Sequence, residues 1–367
     1  MRFTSFRVLS LVALALTTSV SAQPVLPNSP DTRPPAFHAA SNVRPPFAAP
    51  DMQAVLDAHA RLGAKPIHLG SPNQVRAGPS PADAVKAVMK ARSMSTVPDP
   101  SVVTQDLPYG RNSWQKARIY RPAGPAHGAR PLIVYYHGGG WVIANIDVYD
   151  AAPRMLAKQL GAIVVSVEYR HAPEYKFPAQ HDDALSAYRW TLSNARSWGA
   201  DVNRMAFAGE SAGGNLAVAT AIAARDDHLP MPRHILSVYP IADSRTNLPS
   251  RNVGANAKPL STPDLLWFSY YFSGRPNDSQ DPRINLVRAN LRGLPPVTIV
   301  NAQIDPLQSD GVNLAVALRG AGVEVMQRTF AGVTHEFFGM GAVVRGAAQA
   351  NAWAVQRLRP ALAPRKR

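Results

Sequence analysis

The sequence of 367 residues contains no cysteine. The chain can therefore form neither a disulfide bond nor a thiolate metal site, and a cysteine nucleophile is excluded. Long apolar runs are equally scarce. The run at the start of the chain covers only residues 8–16, about half of the ~20 residues that a membrane-spanning helix needs, and no later segment is long enough. We expect no stable membrane insertion and a fold that packing alone stabilises.

The short apolar run has the flanks of an export signal. Arg2 and Arg7 precede it, and the small residues Val20, Ser21 and Ala22 follow it, which is the pattern of a secretory signal with its cleavage site. We predict a signal peptide over residues 1–22 and an exported protein, periplasmic or secreted. The alternative is an N-terminal membrane anchor, which the short apolar run disfavours.

Acidic residues are few: 24 Asp and Glu stand against 39 Lys and Arg, which gives a net charge of +15. Loss of Arg2 and Arg7 with the signal lowers this charge to +13. A positive charge can attract nucleic acid, but the basic residues are scattered and no nucleic-acid motif accompanies them. We interpret the charge as solubilising and expect no nucleic-acid partner.

Composition divides the mature chain into four parts. Residues 23–50 contain eight prolines, which predicts an extended tether. Residues 51–95 have the pattern of two amphipathic helices, and residues 96–361 form the main domain. Within it, the stretch at about 241–294 is rich in Pro, Asn and Ser and is predicted to form a cap insertion, together with the N-terminal helices. Residues 362–367 are a basic tail.

Both N-terminal helices have recognisable signals. The second begins with Ser80 as N-cap, Pro81 at the first helical position and Asp83 near the positive end of the helix. The first has an apolar face made of Met52, Val55, Leu56 and Leu62. In the cap insertion, an aromatic cluster is expected mainly to pack within the cap, with lining of the substrate's acyl side as the alternative; it comprises Trp267, Phe268, Tyr270, Tyr271 and Phe272.

The main domain alternates strand-like and helix-like segments. Continuous apolar runs joined by helical crossovers predict an α/β fold with a largely parallel central sheet of about eight strands, covered by helices on both faces. The strand candidates are VVTQDL, KARIYR, PLIVYY, AIVVSVEY, RMAFAG, ILSVYP, VTIVNA and EVMQRTF.

Ser211 lies in the motif G-x-S-x-G, between the predicted strand RMAFAG and a helical segment. Glycines two positions before and two after the serine allow a sharp turn that exposes its hydroxyl. A serine hydroxyl needs a base, and the base needs an orienting acid. The sequence therefore predicts Ser211 as a nucleophile and directs the search for its partners to the later part of the chain.

Three histidines follow the serine. His228 lies in a polar turn, and His234 precedes a strand, whereas His335 follows the last strand and so lies at a carboxyl end, where sites of α/β proteins form. His335 is the predicted base. Asp305 ends the strand VTIVNAQI and is the predicted acid. Its competitor, Asp310, lies near the N-terminus of the next helix, where an acidic side chain stabilises the helix dipole.

The segment YHGGGW, residues 136–141, follows the strand PLIVY. It lacks the lysine and the glycine spacing of the phosphate-binding loops. Its glycines are better explained as backbone that approaches an oxyanion, with the N–H groups of Gly139 and Gly140 as donors and that of Ala212 as a third.

These motifs together resemble one family. HGGGW, YRHAPEYKFPA, GESAGGNLA, IDPL and His335 occur in the order found in the bacterial hormone-sensitive-lipase family of α/β-hydrolase carboxylesterases, over residues of about 51–360. The resemblance implies Ser211, Asp305 and His335 as the triad, Gly139, Gly140 and Ala212 as the oxyanion hole, and no metal or organic cofactor. His137, Gly138 and Glu210 are then structural supports, with Gly138 letting the chain turn.

Two positions depart from the family pattern. Gln308-Ser309-Asp310 replaces an acidic pair, which we interpret as a change at a surface helix start. Glu336 replaces the glycine after the base; we expect its carboxylate to face outward, whereas an inward carboxylate would raise the pKa of the histidine.

The resemblance predicts hydrolysis of short- to medium-chain acyl esters of small molecules. A lipase, an amidase or a lactonase would use the same triad. A non-catalytic receptor of this fold is disfavoured because Ser211, Asp305 and His335 are all present. The sequence does not decide between a monomer and a homodimer.

Overall fold

The computed structural model describes residues 46–126 and 128–364. The predicted signal peptide, the tether up to residue 45 and the last three residues of the basic tail lie outside these ranges. Within them, no helix combines the length and the apolar character needed to cross a membrane.

Eight strands form one central sheet, and all eight predicted runs contribute. The strands are β1 (Val102–Pro108), β2 (Lys116–Pro122), β3 (Arg130–Tyr136), β4 (Ile163–Val167), β5 (Ala200–Glu210), β6 (His234–Val238), β7 (Val297–Ile304) and β8 (Val325–Thr334). Their order in the sheet is β1-β2-β4-β3-β5-β6-β7-β8. The pairs β1–β2 and β2–β4 are antiparallel, and all other neighbours are parallel. The predicted, mostly parallel sheet is confirmed.

Helices precede the sheet and connect its strands. They are α1 (Pro50–Arg61), α2 (Pro72–Ala77), α3 (Pro81–Ala91), α4 (Ala151–Leu160), α5 (Ala179–Asn194), α6 (Ala212–Asp226), α7 (Pro249–Val253), α8 (Thr262–Phe272), α9 (Gln308–Gly320) and α10 (Arg345–Leu362). Sequence reasoning missed α2, which lies between the two predicted N-terminal helices.

The apolar strands are covered on both faces. Every residue of β4 is buried, and in β3 only the first residue is not. Side chains that alternate along β3 enter two separate clusters, one with Leu132 and Val134 and the other with Ile133 and Tyr135. Burial on both faces explains why these strands read as continuous apolar runs.

The N-terminal helices begin and pack largely as predicted. In α3, the Ser80 hydroxyl accepts a hydrogen bond from the backbone N–H of Asp83 at 3.2 Å, and the carboxylate of Asp83 accepts from the Ser80 N–H at 2.9 Å. Met52 and Val55 of α1 are buried in the same cluster as Val85 and Val88 of α3. Leu62, expected on the apolar face, is 45% exposed because α1 ends at Arg61.

Helix α8 of the predicted cap insertion is joined to the N-terminal segment. The indole Nε1 of Trp267 donates a hydrogen bond to the carbonyl of Gly70 at 2.8 Å. The carboxylate of Asp264 accepts from the backbone N–H of His68 at 2.9 Å. Both bonds hold residues preceding the sheet against a helix inserted between β6 and β7.

Candidate active site

Ser211 occupies the sharp turn between β5 and α6. Its φ is +58°, and its backbone N–H donates to the carbonyl of Val238 at 2.8 Å. A Cβ on Gly209 would lie 2.1 Å from the carbonyl oxygen of Gly213, and a Cβ on Gly213 would lie 1.9 Å from that of Tyr136. Neither position can accept a side chain, so the strand–turn–helix geometry requires both glycines of the motif.

Ser211, His335 and Asp305 meet in one line of hydrogen bonds. The His335 Nε2 lies 3.0 Å from the Ser211 Oγ, and the His335 Nδ1 lies 2.7 Å from the Asp305 Oδ2. Asp305 follows β7 and His335 follows β8, neighbouring parallel strands that end at the same edge of the sheet. The structure therefore brings together the three residues that the sequence predicted.

The base is buried but charged groups favour its protonated form. Burial by itself lowers the pKa of His335, but the carboxylate of Asp305, with smaller contributions from Glu336 and Glu210, raises that pKa above its usual value. Asp305 is fully buried, and its Oδ1 accepts a hydrogen bond from the backbone N–H of Leu307 at 2.8 Å. This bond fixes the carboxylate that faces the Nδ1 of the imidazole.

The glycine loop after β3 lines the same cavity. Gly139 and Gly140 have φ values of +98° and +58°, and both line the cavity that contains Ser211. Among the described residues, the N–H groups of Gly139, Gly140 and Ala212 have no hydrogen-bond acceptor. Ala212 directly follows Ser211, so all three unpaired donors lie in segments next to the nucleophile or the cavity.

Gly138 differs from its two neighbours in backbone conformation. Its φ is not in the positive region. A Cβ at Gly138 would instead lie 2.3 Å from the phenol oxygen of Tyr149. Glycine is required here because Tyr149 approaches the backbone closely.

His137 is buried beneath the glycine loop. Its ring stacks on Tyr169 with centroids 4.2 Å apart, and its Nδ1 donates to the carbonyl of Gly138 at 2.8 Å. The hydroxyl of Tyr169 also donates to the carbonyl of His137 at 2.9 Å. His137 touches the backbone of the loop and lies away from the cavity lining, as expected of a support.

His137 also belongs to the group of described residues best suited to hold a metal ion. Ligand atoms of His137, Glu168 and His171 lie within 4.8 Å of one another. This group is separate from the hydrogen bonds that join Ser211, His335 and Asp305. The proton transfers proposed below for those three residues need no metal.

Glu210 is buried behind the nucleophile. Its carboxylate accepts hydrogen bonds from the hydroxyls of Tyr135 and Tyr239. Burial raises the pKa of Glu210 to about 7, although both tyrosines oppose the shift. The ring of Tyr239 in turn packs against His335, with centroids 4.5 Å apart, so Glu210 supports the base through a tyrosine.

The cavity above these groups has a volume of about 420 Å³. Its walls come from the N-terminal segment, the glycine loop and the insertion between β6 and β7. Phe268 of α8 lines it, whereas Trp267 and Phe272 are buried in packing. Trp141, whose role the sequence left open, is buried and stacks on Phe272 at 4.2 Å, so it anchors the loop to the cap.

Comparison with known proteins agrees with this geometry. A family model described as alpha/beta hydrolase fold matches residues 133–339. The chain belongs to this family. The predicted resemblance to the bacterial hormone-sensitive-lipase group of α/β-hydrolases is thereby confirmed.

Several proteins that are similar to this α/β-hydrolase are named as ester hydrolases. Ethyl acetate hydrolase of Pseudomonas putida is 35% identical over 266 residues, which cover 70% of this chain and 80% of the relative. A carboxylesterase of Mycobacterium tuberculosis is 38% identical over 63% of this chain and 74% of its own length. Among solved structures, an esterase of Pyrobaculum calidifontis is 31% identical with a TM-score of 0.72, covering 86% of this chain and 100% of that one.

The helix start of this hydrolase after Asp305 differs from the expectation. Gln308-Ser309-Asp310 was interpreted as a surface position, but Asp310 is fully buried. Its carboxylate accepts from the backbone N–H groups of Ala242 and Asp243 at 3.2 and 3.1 Å and forms an ion pair with Arg251 at 2.8 Å. Asp310 thus fixes the start of the insertion, a role that its position at a helix start does not reveal.

Glu336 corrects a second expectation. Its carboxylate faces inward: the Oε1 accepts a hydrogen bond from the hydroxyl of Tyr149 at 2.6 Å and lies 3.8 Å from the His335 Nε2. Sequence reasoning missed Tyr149, which precedes α4 and lies 187 residues away along the chain. No local pattern indicates that pairing.

Proposed function

We propose that the chain is a serine carboxylesterase that hydrolyses short- to medium-chain acyl esters of small molecules through an acyl-enzyme intermediate. One observation carries the proposal: the continuous line from the Ser211 Oγ through both imidazole nitrogens of His335 to the Asp305 Oδ2, at 3.0 and 2.7 Å. The relatives named as ester hydrolases support the same activity.

The mechanism has two halves. The Ser211 Oγ attacks the ester carbonyl carbon while the His335 Nε2 takes the hydroxyl proton, and the same nitrogen then gives this proton to the leaving alcohol. Asp305 keeps Nδ1 protonated and stabilises the imidazolium. Water, activated by His335, attacks the acyl-enzyme in the second half and releases the acid.

The oxygen of the tetrahedral intermediate becomes negative and needs donors. The N–H groups of Gly139, Gly140 and Ala212 have no acceptor among the described residues, and they supply these donors. Because the donors are held by the backbone, they need no reorganisation when the charge develops. No metal or organic cofactor takes part in this sequence of steps.

The cavity volume of about 420 Å³ suits a small ester, since small-molecule sites span about 300–1,000 Å³. A panel of aryl esters from acetyl to long-chain, with an amide and a lactone of matched acyl group, tests the substrate class. We expect the highest kcat/KM on acetyl to medium-chain esters. A preference for emulsified long-chain triglyceride, for the amide or for the lactone would reject the carboxylesterase in favour of the corresponding alternative.

A fluorophosphonate probe separates an enzyme from a non-catalytic receptor. The probe reacts only with an activated serine, so we expect labelling of Ser211 and of no other serine, read out by peptide mass spectrometry. A folded protein that stays unlabelled would support the receptor.

We also propose that the protein is exported, because Arg2, Arg7 and the residues ending at Ala22 have the pattern of a cleaved signal. The expected mature chain begins at Gln23. Mass spectrometry of the N-terminus, on protein from cell fractions and culture medium, measures this directly. A chain that keeps Met1 and stays in the cytoplasmic fraction would contradict export.

A further inference from the structure

Glu336 occupies a backbone position that favours glycine. It directly follows His335 after β8, and its φ is +70°. This left-handed region is uncommon for residues with a long side chain. A glutamate at this position makes the turn less favourable than a glycine would.

The carboxylate of Glu336 lies at the reacting end of the cavity. Its Oε1 is held by the hydroxyl of Tyr149 at 2.6 Å and lies 3.8 Å from the Nε2 of His335. Within the described part of the chain, its Oε2 accepts no hydrogen bond. Glu336 lines the cavity that contains Ser211, and its side chain is 18% exposed. One carboxylate oxygen is therefore available to a bound molecule.

Besides histidines, two cationic side chains line the cavity, and in the described structure neither forms an ion pair with Glu336. Arg76 also lines the cavity, but its guanidinium forms two hydrogen bonds with the carboxylate of Glu174, at 2.7 and 2.8 Å. Lys65 lines the cavity and is exposed, so water screens its charge. On the protein side, the carboxyl of Glu210 is buried and bonded by the hydroxyls of Tyr135 and Tyr239. Among the described residues that line the cavity, Glu336 is the only acidic one.

We propose that Glu336 is a specificity-determining residue that forms an anionic subsite beside the scissile bond and favours esters whose alcohol carries a cationic group. This inference rests on the proposed esterase function. The His335 Nε2 gives its proton to the leaving alcohol oxygen, so that oxygen must come within hydrogen-bond distance of the Nε2. Because Glu336 lies 3.8 Å from the same nitrogen, a cation two or three atoms beyond the ester oxygen reaches the carboxylate.

Two acetate esters of equal shape test the subsite. One has a trimethylammonium-ethyl alcohol, and the other has the neutral 3,3-dimethylbutyl alcohol. We expect the ratio of kcat/KM, cationic over neutral, to be roughly fivefold or more in the wild type, because a partly desolvated charge pair a few ångströms apart is attractive. In Glu336→Gln, which keeps an acceptor for Tyr149, the ratio should fall close to one.

The ratio isolates charge recognition from other effects of the substitution. A change in the basicity of His335 or in the turn alters kcat/KM of both esters alike and leaves the ratio unchanged. Raising the salt concentration should lower the ratio in the wild type and not in Glu336→Gln. The same ratio in the wild type and in Glu336→Gln would overturn the inference.

Lys65→Gln is the matched control, since it changes the charge of the same cavity by one unit in the opposite sense. We expect it to leave the ratio within about twofold, because Lys65 is exposed. If Lys65→Gln raises the ratio by the same factor by which Glu336→Gln lowers it, the cationic ester responds to the total charge of the cavity. That result would overturn a local subsite at Glu336. If the wild type hydrolyses neither ester nor any member of the acyl panel, the proposed esterase function itself is wrong. Hydrolysis of both esters with an unchanged ratio would overturn only the anionic subsite.

Discussion

At the residue scale, the site depends on how the environment sets the proton affinity of one imidazole. His335 is almost fully buried, and burial alone would favour its neutral form. Asp305, at 2.7 Å from the Nδ1, opposes burial most strongly, and Glu336 and Glu210 add to its effect. A neutral imidazole is needed to accept the serine proton, and an imidazolium is needed in the intermediate. These carboxyl groups therefore stabilise the second form.

The raised pKa of His335 predicts the pH dependence of the reaction. Only neutral His335 can take the Ser211 proton, so kcat/KM should fall as pH drops through the pKa of this residue. Since the nearby carboxyl groups raise that pKa, we expect the midpoint of the acid limb above the pKa of an ordinary histidine. Asp305→Asn should move the midpoint to lower pH and reduce kcat by about 10⁴-fold. A midpoint that Asp305→Asn leaves in place, or moves to higher pH, would contradict the assignment.

At the element scale, close backbone approaches join the turn at Ser211 to the glycine loop. Gly213 is the second residue of α6, and a Cβ on it would lie 1.9 Å from the carbonyl oxygen of Tyr136 and 2.4 Å from that of His137. These carbonyls belong to the end of β3 and the start of the loop that presents Gly139 and Gly140. The same glycine therefore shapes the turn that carries the nucleophile and the approach of the oxyanion donors to it.

Gly213→Ala tests this approach. The new Cβ would lie 1.9 Å from the Tyr136 oxygen, and backbone cannot move aside easily, so we expect a loss of more than about 3 kcal/mol in the free energy of unfolding. Gly320→Ala is the control: no atom lies within 4 Å of its added Cβ, and alanine at this helical position should stabilise by about 0.5–1 kcal/mol. Urea denaturation measures both. Equal stabilities of the two variants would contradict the packing described.

The buried ion pair of Asp310 and Arg251 joins α9 to α7. Removing one partner leaves the other charge buried, so Asp310→Ala should cost about 3–5 kcal/mol of unfolding free energy. Asp227→Ala, which breaks the exposed pair with Arg189, should cost less than about 1 kcal/mol. The double variant Asp310→Leu with Arg251→Met should recover much of the loss. If Asp310→Ala lowers the unfolding free energy no more than Asp227→Ala does, the buried pair does not stabilise the fold.

At the scale of the whole molecule, the sequence predicted the features that depend on local periodicity and short motifs. Eight apolar runs gave the eight strands, and a turn motif with two strand ends gave Ser211, Asp305 and His335. Features that depend on distant contacts were missed. Glu336 turns inward because of Tyr149, 187 residues away, and Asp310 is buried because the chain near Ala242 packs on it. Helix α2 has only six residues, too few for a periodic signal.

We propose that the fold assembles Ser211, His335 and Asp305 into one catalytic unit from distant parts of the chain. The most direct measurement is the kcat for a short-chain aryl ester with purified wild-type protein and with Ser211→Ala, whose folding is checked by circular dichroism. We expect a loss of about 10⁶-fold, because the three residues act together. Undiminished hydrolysis by folded Ser211→Ala would contradict it.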